Sequence, residues 1–144
     1  MLESATQRPA VVVHGLADVA LACAPGLTLT LLSAPAAAIF AGPGWWLALI
    51  GLAQTRFPGL IAADLLDCGD APGLALAALR LDQRTLILDP ACPAFGAVRA
   101  TAAALGGRVW PTRPASLDLA EPGAARRLAA WLSHRAGRID PHRP

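Results

Sequence analysis

Residues 61–89 read IAADLLDCGDAPGLALAALRLDQRTLILD, and this stretch decides the fold. Ile61 to Asp67 is a short, mainly apolar run that closes on a carboxylate, and Thr85 to Asp89 repeats the form. A strand buried on both faces reads as a continuous apolar run instead of an alternating one. Between the two runs, Asp70-Ala71-Pro72-Gly73 opens a segment, Leu74 to Leu81, with helical spacing. Proline fits the first helical turn, where its missing N–H costs nothing. Strand, helix and strand with short links form the repeating unit of a parallel sheet.

The same grammar extends outward. Further apolar runs lie at Val11 to His14, Leu27 to Ser33 and Arg108 to Pro111. Helical spacing recurs at Leu16 to Ala24, Trp45 to Phe57, Phe95 to Leu105 and Ala124 to Ala136, each bounded by glycine or proline. Such residues are expected start and stop signals. The order βαβαβαβαβα predicts an α/β fold, a three-layer αβα sandwich on a five-stranded parallel sheet. The order of elements is similar to that of flavodoxin-like domains, with strand order 2-1-3-4-5. A Rossmann-like 3-2-1-4-5 is the alternative. The resemblance is one of element order alone and implies no activity.

Two stretches break the grammar. Ala36 to Gly44 reads as a short helical turn and a glycine-proline loop. Ala115 to Gly123 reads as a link longer than the usual connection of about 2–6 residues. The length of 144 residues matches one domain, 1–144, with residues 1–8 and 138–144 expected to fray.

Composition narrows the chemistry. Hydrophobic residues make up 55% and charged residues only 15%, so the chain is not disordered. No charge occurs between Asp18 and Arg56, yet Pro25-Gly26, Pro35 and Gly42-Pro43-Gly44 interrupt that stretch. A membrane span, which needs about 20 consecutive apolar residues, is not expected. Met1 to Pro9 lacks the apolar core of a secretory signal. Three scattered cysteines, Cys23, Cys68 and Cys92, do not suggest a disulfide framework, and a cytoplasmic location is expected.

All twelve basic residues are arginines, and there is no tyrosine. The absence of lysine excludes Schiff-base chemistry and a P-loop lysine. It also excludes receiver-type phosphoacceptor chemistry, because His14-Gly15 stands where an acidic pair is required. The C-terminal arginines Arg126, Arg127, Arg135, Arg138 and Arg143 are diluted by Asp118, Glu121 and Asp140, so nucleic-acid binding is not expected.

In an open parallel sheet, ligands bind beyond the carboxyl ends of the strands. Polar residues of this apolar chain gather at those ends: His14 and Gly15, Ser33, Asp67 and Gly69, Asp89, and Arg113. They are the candidate ligand-binding residues. His14, Asp67 and Asp89 are the candidates for catalysis, whether or not any occurs. His14 has the acid–base range for proton transfer near neutrality. The pattern specifies no cofactor, and no metal site is expected. The expected ligand is a small polar or anionic metabolite, an anion being held by loop amides, helix N-termini and Arg113.

A non-catalytic reading rests on the Trp45 helix. Trp46, Leu49, Ile50 and Ala53 form one apolar stripe, and Trp45, Ala48 and Leu52 form another. A helix apolar on every side is buried or lies in an interface. This reading makes the chain a scaffold or subunit, with a homo-oligomer contact through Phe40, Trp45 and Leu52.

Overall fold

The computed structural model describes residues 8–136. Apart from Arg8, the ends expected to fray lie outside the described residues. In chain order the elements are β1 (Ala10–Val12), α1 (Leu16–Cys23), β2 (Leu29–Leu32), α2 (Ala37–Phe40), α3 (Pro43–Arg56), β3 (Ile61–Asp67), α4 (Pro72–Arg80), β4 (Thr85–Ile87), α5 (Phe95–Ala104), β5 (Arg108–Trp110), β6 (Ser116–Asp118) and α6 (Ala124–Ala136). The fold is α/β, with parallel strand pairing and helices beside the strands. Two compact units divide the described residues: 8–32, 52–64 and 115–136 form one, and 33–51 and 65–114 the other.

In the first unit β1 is the organising strand. Its Ala-Val-Val sequence is buried throughout and pairs in parallel with two neighbours. Val11 stands opposite Leu31 of β2 and Leu117 of β6. The Val13 N–H donates to the Leu32 carbonyl, and the Leu119 N–H donates to the Val12 carbonyl. Helix α6 buries Ala124, Leu128 and Leu132. Its Trp131 Nε1–H reaches the Ala10 carbonyl of β1 at 3.0 Å.

This pairing corrects two expectations. The described residues form six strands, because β6 lies inside the stretch read as a long link. With Leu117 alone between Ser116 and Asp118, the segment has no apolar run to announce it, and pairing with β1 makes it a strand. The strand order also differs from both expected ones. β1 lies between β2 and β6, whereas the flavodoxin-like order puts β3 beside β1 and the Rossmann-like order puts β4 there. The site that β3 or β4 would have occupied is filled by β6.

In the second unit the end of β3 pairs in parallel with β4, and β4 with β5. Leu65, Leu66, Leu86, Leu88 and Val109 are buried, as are Ala75, Ala78 and Leu79 of α4 and Val98 and Ala102 of α5. Gly107 precedes β5 where a Cβ would run into the Arg84 carbonyl oxygen, so only glycine lets the chain pass. Helix α4 starts at Pro72 with Ala71 before it and no side-chain cap. Asp70, the nearest carboxylate, stands one residue before the cap position. The proline at the helix start does the work instead.

Helix α3 separates its two stripes as its sequence implies. Trp46, Leu49, Ile50 and Ala53 are buried, while Trp45 is half-buried and Ala48 and Leu52 are exposed. No helix among the described residues is long and apolar enough to cross a membrane.

Candidate functional site

The carboxyl ends of β3, β4 and β5 in the second unit build a cleft of ≈ 410 Å³. Asp67, the last residue of β3, sits in its wall and is 5% exposed. A buried carboxylate must be paired or hydrogen-bonded. Asp67 is both. Its Oδ1 accepts the Gly69 N–H at 2.8 Å, and its Oδ2 accepts from Arg113 Nη1 at 2.7 Å.

Backbone geometry makes these contacts possible. Gly69 has φ +58°, the left-handed region that glycine enters without cost. A Cβ there would lie 3.0 Å from the Ala36 Cβ. Ala36 is itself left-handed, at φ 56°, and also lines the cleft. A non-glycine residue held there carries about 1–2 kcal/mol of backbone strain. Such strain tends to gather where a protein binds or reacts. The Gly69 carbonyl then accepts the Asp89 N–H at 2.8 Å, tying the end of β4 to the turn after β3.

Asp89 accepts the Ala91 N–H at 2.9 Å through its own Oδ1, so its loop is a turn closed by its side chain. Asp70 and Asp89 line the cleft and are exposed, as are Pro90 and Thr112. The lining thus carries three carboxylates against one guanidinium, and that guanidinium is already committed to Asp67.

Of the sequence candidates, Asp67, Gly69, Asp89 and Arg113 come together here. Ser33 belongs to the same unit but is fully buried. Its hydroxyl accepts the Asp67 N–H at 2.9 Å and donates to the Ala34 carbonyl at 3.0 Å. It thereby holds β3 in place from behind. His14 and Gly15 belong to the first unit. Gly15, at φ 173°, is extended backbone that any residue adopts.

The partner that sequence reading missed is Asp118. Its Oδ1 lies 2.7 Å from His14 Nε2. The His14 N–H donates to Asp18 Oδ2 at 2.8 Å, so both ends of the residue are held. A carboxylate on one ring nitrogen fixes the imidazole and leaves the other nitrogen for proton transfer. The signal was weak because Asp118 sits in β6, a strand without an apolar run.

The cysteines have little nucleophilic character. Burial, then the neighbouring Asp67 carboxylate, pushes the Cys68 thiol up to about 12. Desolvation, followed by Asp89 and Asp70, also raises the Cys92 thiol. Among the described residues no group of three or more His, Cys, Asp or Glu could hold a metal ion.

Two predictions follow from this geometry. Arg113→Met strips the Asp67 carboxylate of its cation. Breaking a buried pair from one side costs about 3–5 kcal/mol, and the partial exposure of Arg113 puts the loss near the lower end. Urea unfolding with unchanged slope measures it. The second concerns alkali. The Cys68 thiol is harder to ionise folded than unfolded, where it titrates near 9.0. The unfolded chain therefore loses its proton first as pH rises. Stability contributed by the neutral thiol is intact below pH 9, then falls by about 1.4 kcal/mol per pH unit towards the folded value. Urea unfolding at pH 8, about 10 and about 11 should show a fall in stability in the native chain and a shallower one in Cys68→Ala, where the raised thiols of Cys23 and Cys92 still contribute.

No protein-family model, curated protein or solved structure matches this chain.

Proposed function

We propose that the second unit binds a small polar metabolite at the carboxyl ends of β3, β4 and β5. The ligand presents hydroxyl or ammonium donors to Asp70 and Asp89. The observation that carries this reading is the composition of the cleft: three carboxylates, with the single arginine spent on Asp67. Of the polar and anionic ligands that the sequence allows, the carboxylates favour the first. An anion would meet uncompensated negative charge there. The ordered turns at Gly69 and Asp89 hold their groups before a ligand arrives, which lowers the entropic cost of binding.

A second reading, assembly through α2 and α3, has its own observation. Phe40 is 70% exposed and Leu52 46%, and Ile39 and Leu47 also face solvent. Large apolar side chains on an outer face mark an interaction surface when they form a patch. The partner is a second copy of the chain.

Thermal unfolding with polyols, amino sugars and nucleosides, each beside its phosphorylated form, tests the first reading. A ligand at a hundred times its Kd adds about 2.7 kcal/mol. Unphosphorylated compounds should raise the midpoint, and Asp89→Asn should remove the rise. A rise confined to phosphorylated compounds would overturn the reading. For the second, sedimentation at micromolar concentration should show a dimer or larger species in the native chain and a monomer in Phe40→Asp. A monomeric native chain would sink it.

A further inference from the structure

A second pocket in the same unit has the opposite charge. It encloses ≈ 310 Å³ between α5 and β5, walled by Arg99 and Ala103 on one side and Arg108, Val109, Trp110 and Pro111 on the other. No acidic side chain lines it. Neither arginine forms an ion pair among the described residues. Each guanidinium lies on an aromatic face instead. The Arg108 Cζ is 4.8 Å from the Trp110 ring centroid, and the Arg99 Cζ is 5.5 Å from that of Phe95. Stacking holds a guanidinium in place while leaving its in-plane N–H groups free to donate.

Trp110 adds an independent observation. Its Nε1–H is the one buried side-chain donor without an acceptor among the described residues. Buried polar groups are nearly always satisfied, and an exception calls for a cause. The lining thus carries two guanidiniums, one from each side, and a tryptophan whose indole N–H is unanswered, and all of these groups are donors. What they lack in common is an acceptor carrying negative charge.

We infer that this pocket is a site for a small organic oxyanion, a carboxylate or a phosphate monoester on a flat apolar body. The oxyanion is held by Arg99 and Arg108. The apolar body lies against Ala103, Val109 and the Trp110 ring. Arginine suits this role because its fork pairs with two oxygens at once. The site is distinct from the acidic cleft, though Pro111 stands in the walls of both.

The test uses the full chain labelled with ¹⁵N. Its four tryptophans give a sparse indole region, and Trp110→Phe assigns the signal. Benzoate and phenyl phosphate are titrated at constant ionic strength against sodium chloride. The Trp110 indole signal should move saturably with at least one of them. Response to benzoate alone names a carboxylate ligand, and response to phenyl phosphate alone a phosphate ester. Arg99→Gln and Arg108→Gln should each weaken binding about tenfold or more, since a hydrogen bond to a charged group is lost. Arg80→Gln, outside the pocket, should change nothing, and Asp89→Asn should not weaken binding either. The unchanged amide spectrum of each variant confirms its fold, and Arg99, exposed on α5, is the safer substitution. The inference is overturned if the signal stays still, if sodium chloride moves it equally, or if both glutamine variants keep the native midpoint.

Discussion

A carboxylate removed from water at the end of a strand sets the terms for its surroundings. Asp67 is buried, and each oxygen has one fixed donor: an amide that only a left-handed turn can aim and an arginine from the segment after β5. The cost of burying a charge without partners is far larger than the stability of a domain. The turn at Gly69, the tight approach of Ala36 and the position of Arg113 are therefore one arrangement. Ser33 completes it from the core side by accepting the Asp67 N–H. Change any member and the carboxylate must find another donor or a proton.

Because Asp67 uses Arg113, the cleft keeps a negative surplus. The cation at its edge is not free to meet a ligand, and Asp70 and Asp89 remain open to solvent. In the same unit, Arg99 and Arg108 have aromatic rings for neighbours where Arg113 has a carboxylate. A chain with few charges has thus sorted them by sign. Acceptors gather where β3 and β4 end, and donors where α5 meets β5. Opposite charges kept apart cannot cancel each other, and each group retains its capacity to recognise a ligand.

Much of this was legible in residues 61–89, where two apolar runs and one helical segment announce a βαβ unit without ambiguity. The buried stripe of α3 was legible too, because Trp46, Leu49, Ile50 and Ala53 share a helical face whatever the tertiary context. β6 was not. Three residues with one leucine carry no periodicity, and their strand character comes from pairing with β1. The strand order failed for the same reason, since local sequence does not say which edge a strand joins. Asp67, Gly69, Asp89 and Arg113 could be named because strands end in recognisable places. Asp118 could not be matched to His14, nor Trp110 seen as an unanswered donor, because both facts depend on packing between segments distant in sequence.

Recognition and catalysis make different demands on a cleft. Recognition needs groups fixed in place, and the turns at Gly69 and Asp89 supply that. Catalysis also needs a group poised to attack or to exchange a proton near neutral pH. The thiols nearest the acidic cleft are raised by desolvation and by the carboxylates around them, so the field that would attract a donor-rich ligand also keeps them protonated. The imidazole with an orienting carboxylate, His14 beside Asp118, belongs to the first unit. What the second unit's cleft offers in place of a thiol is its carboxylates, fixed at Asp67 and Asp89 by the hydrogen bonds of their own turns.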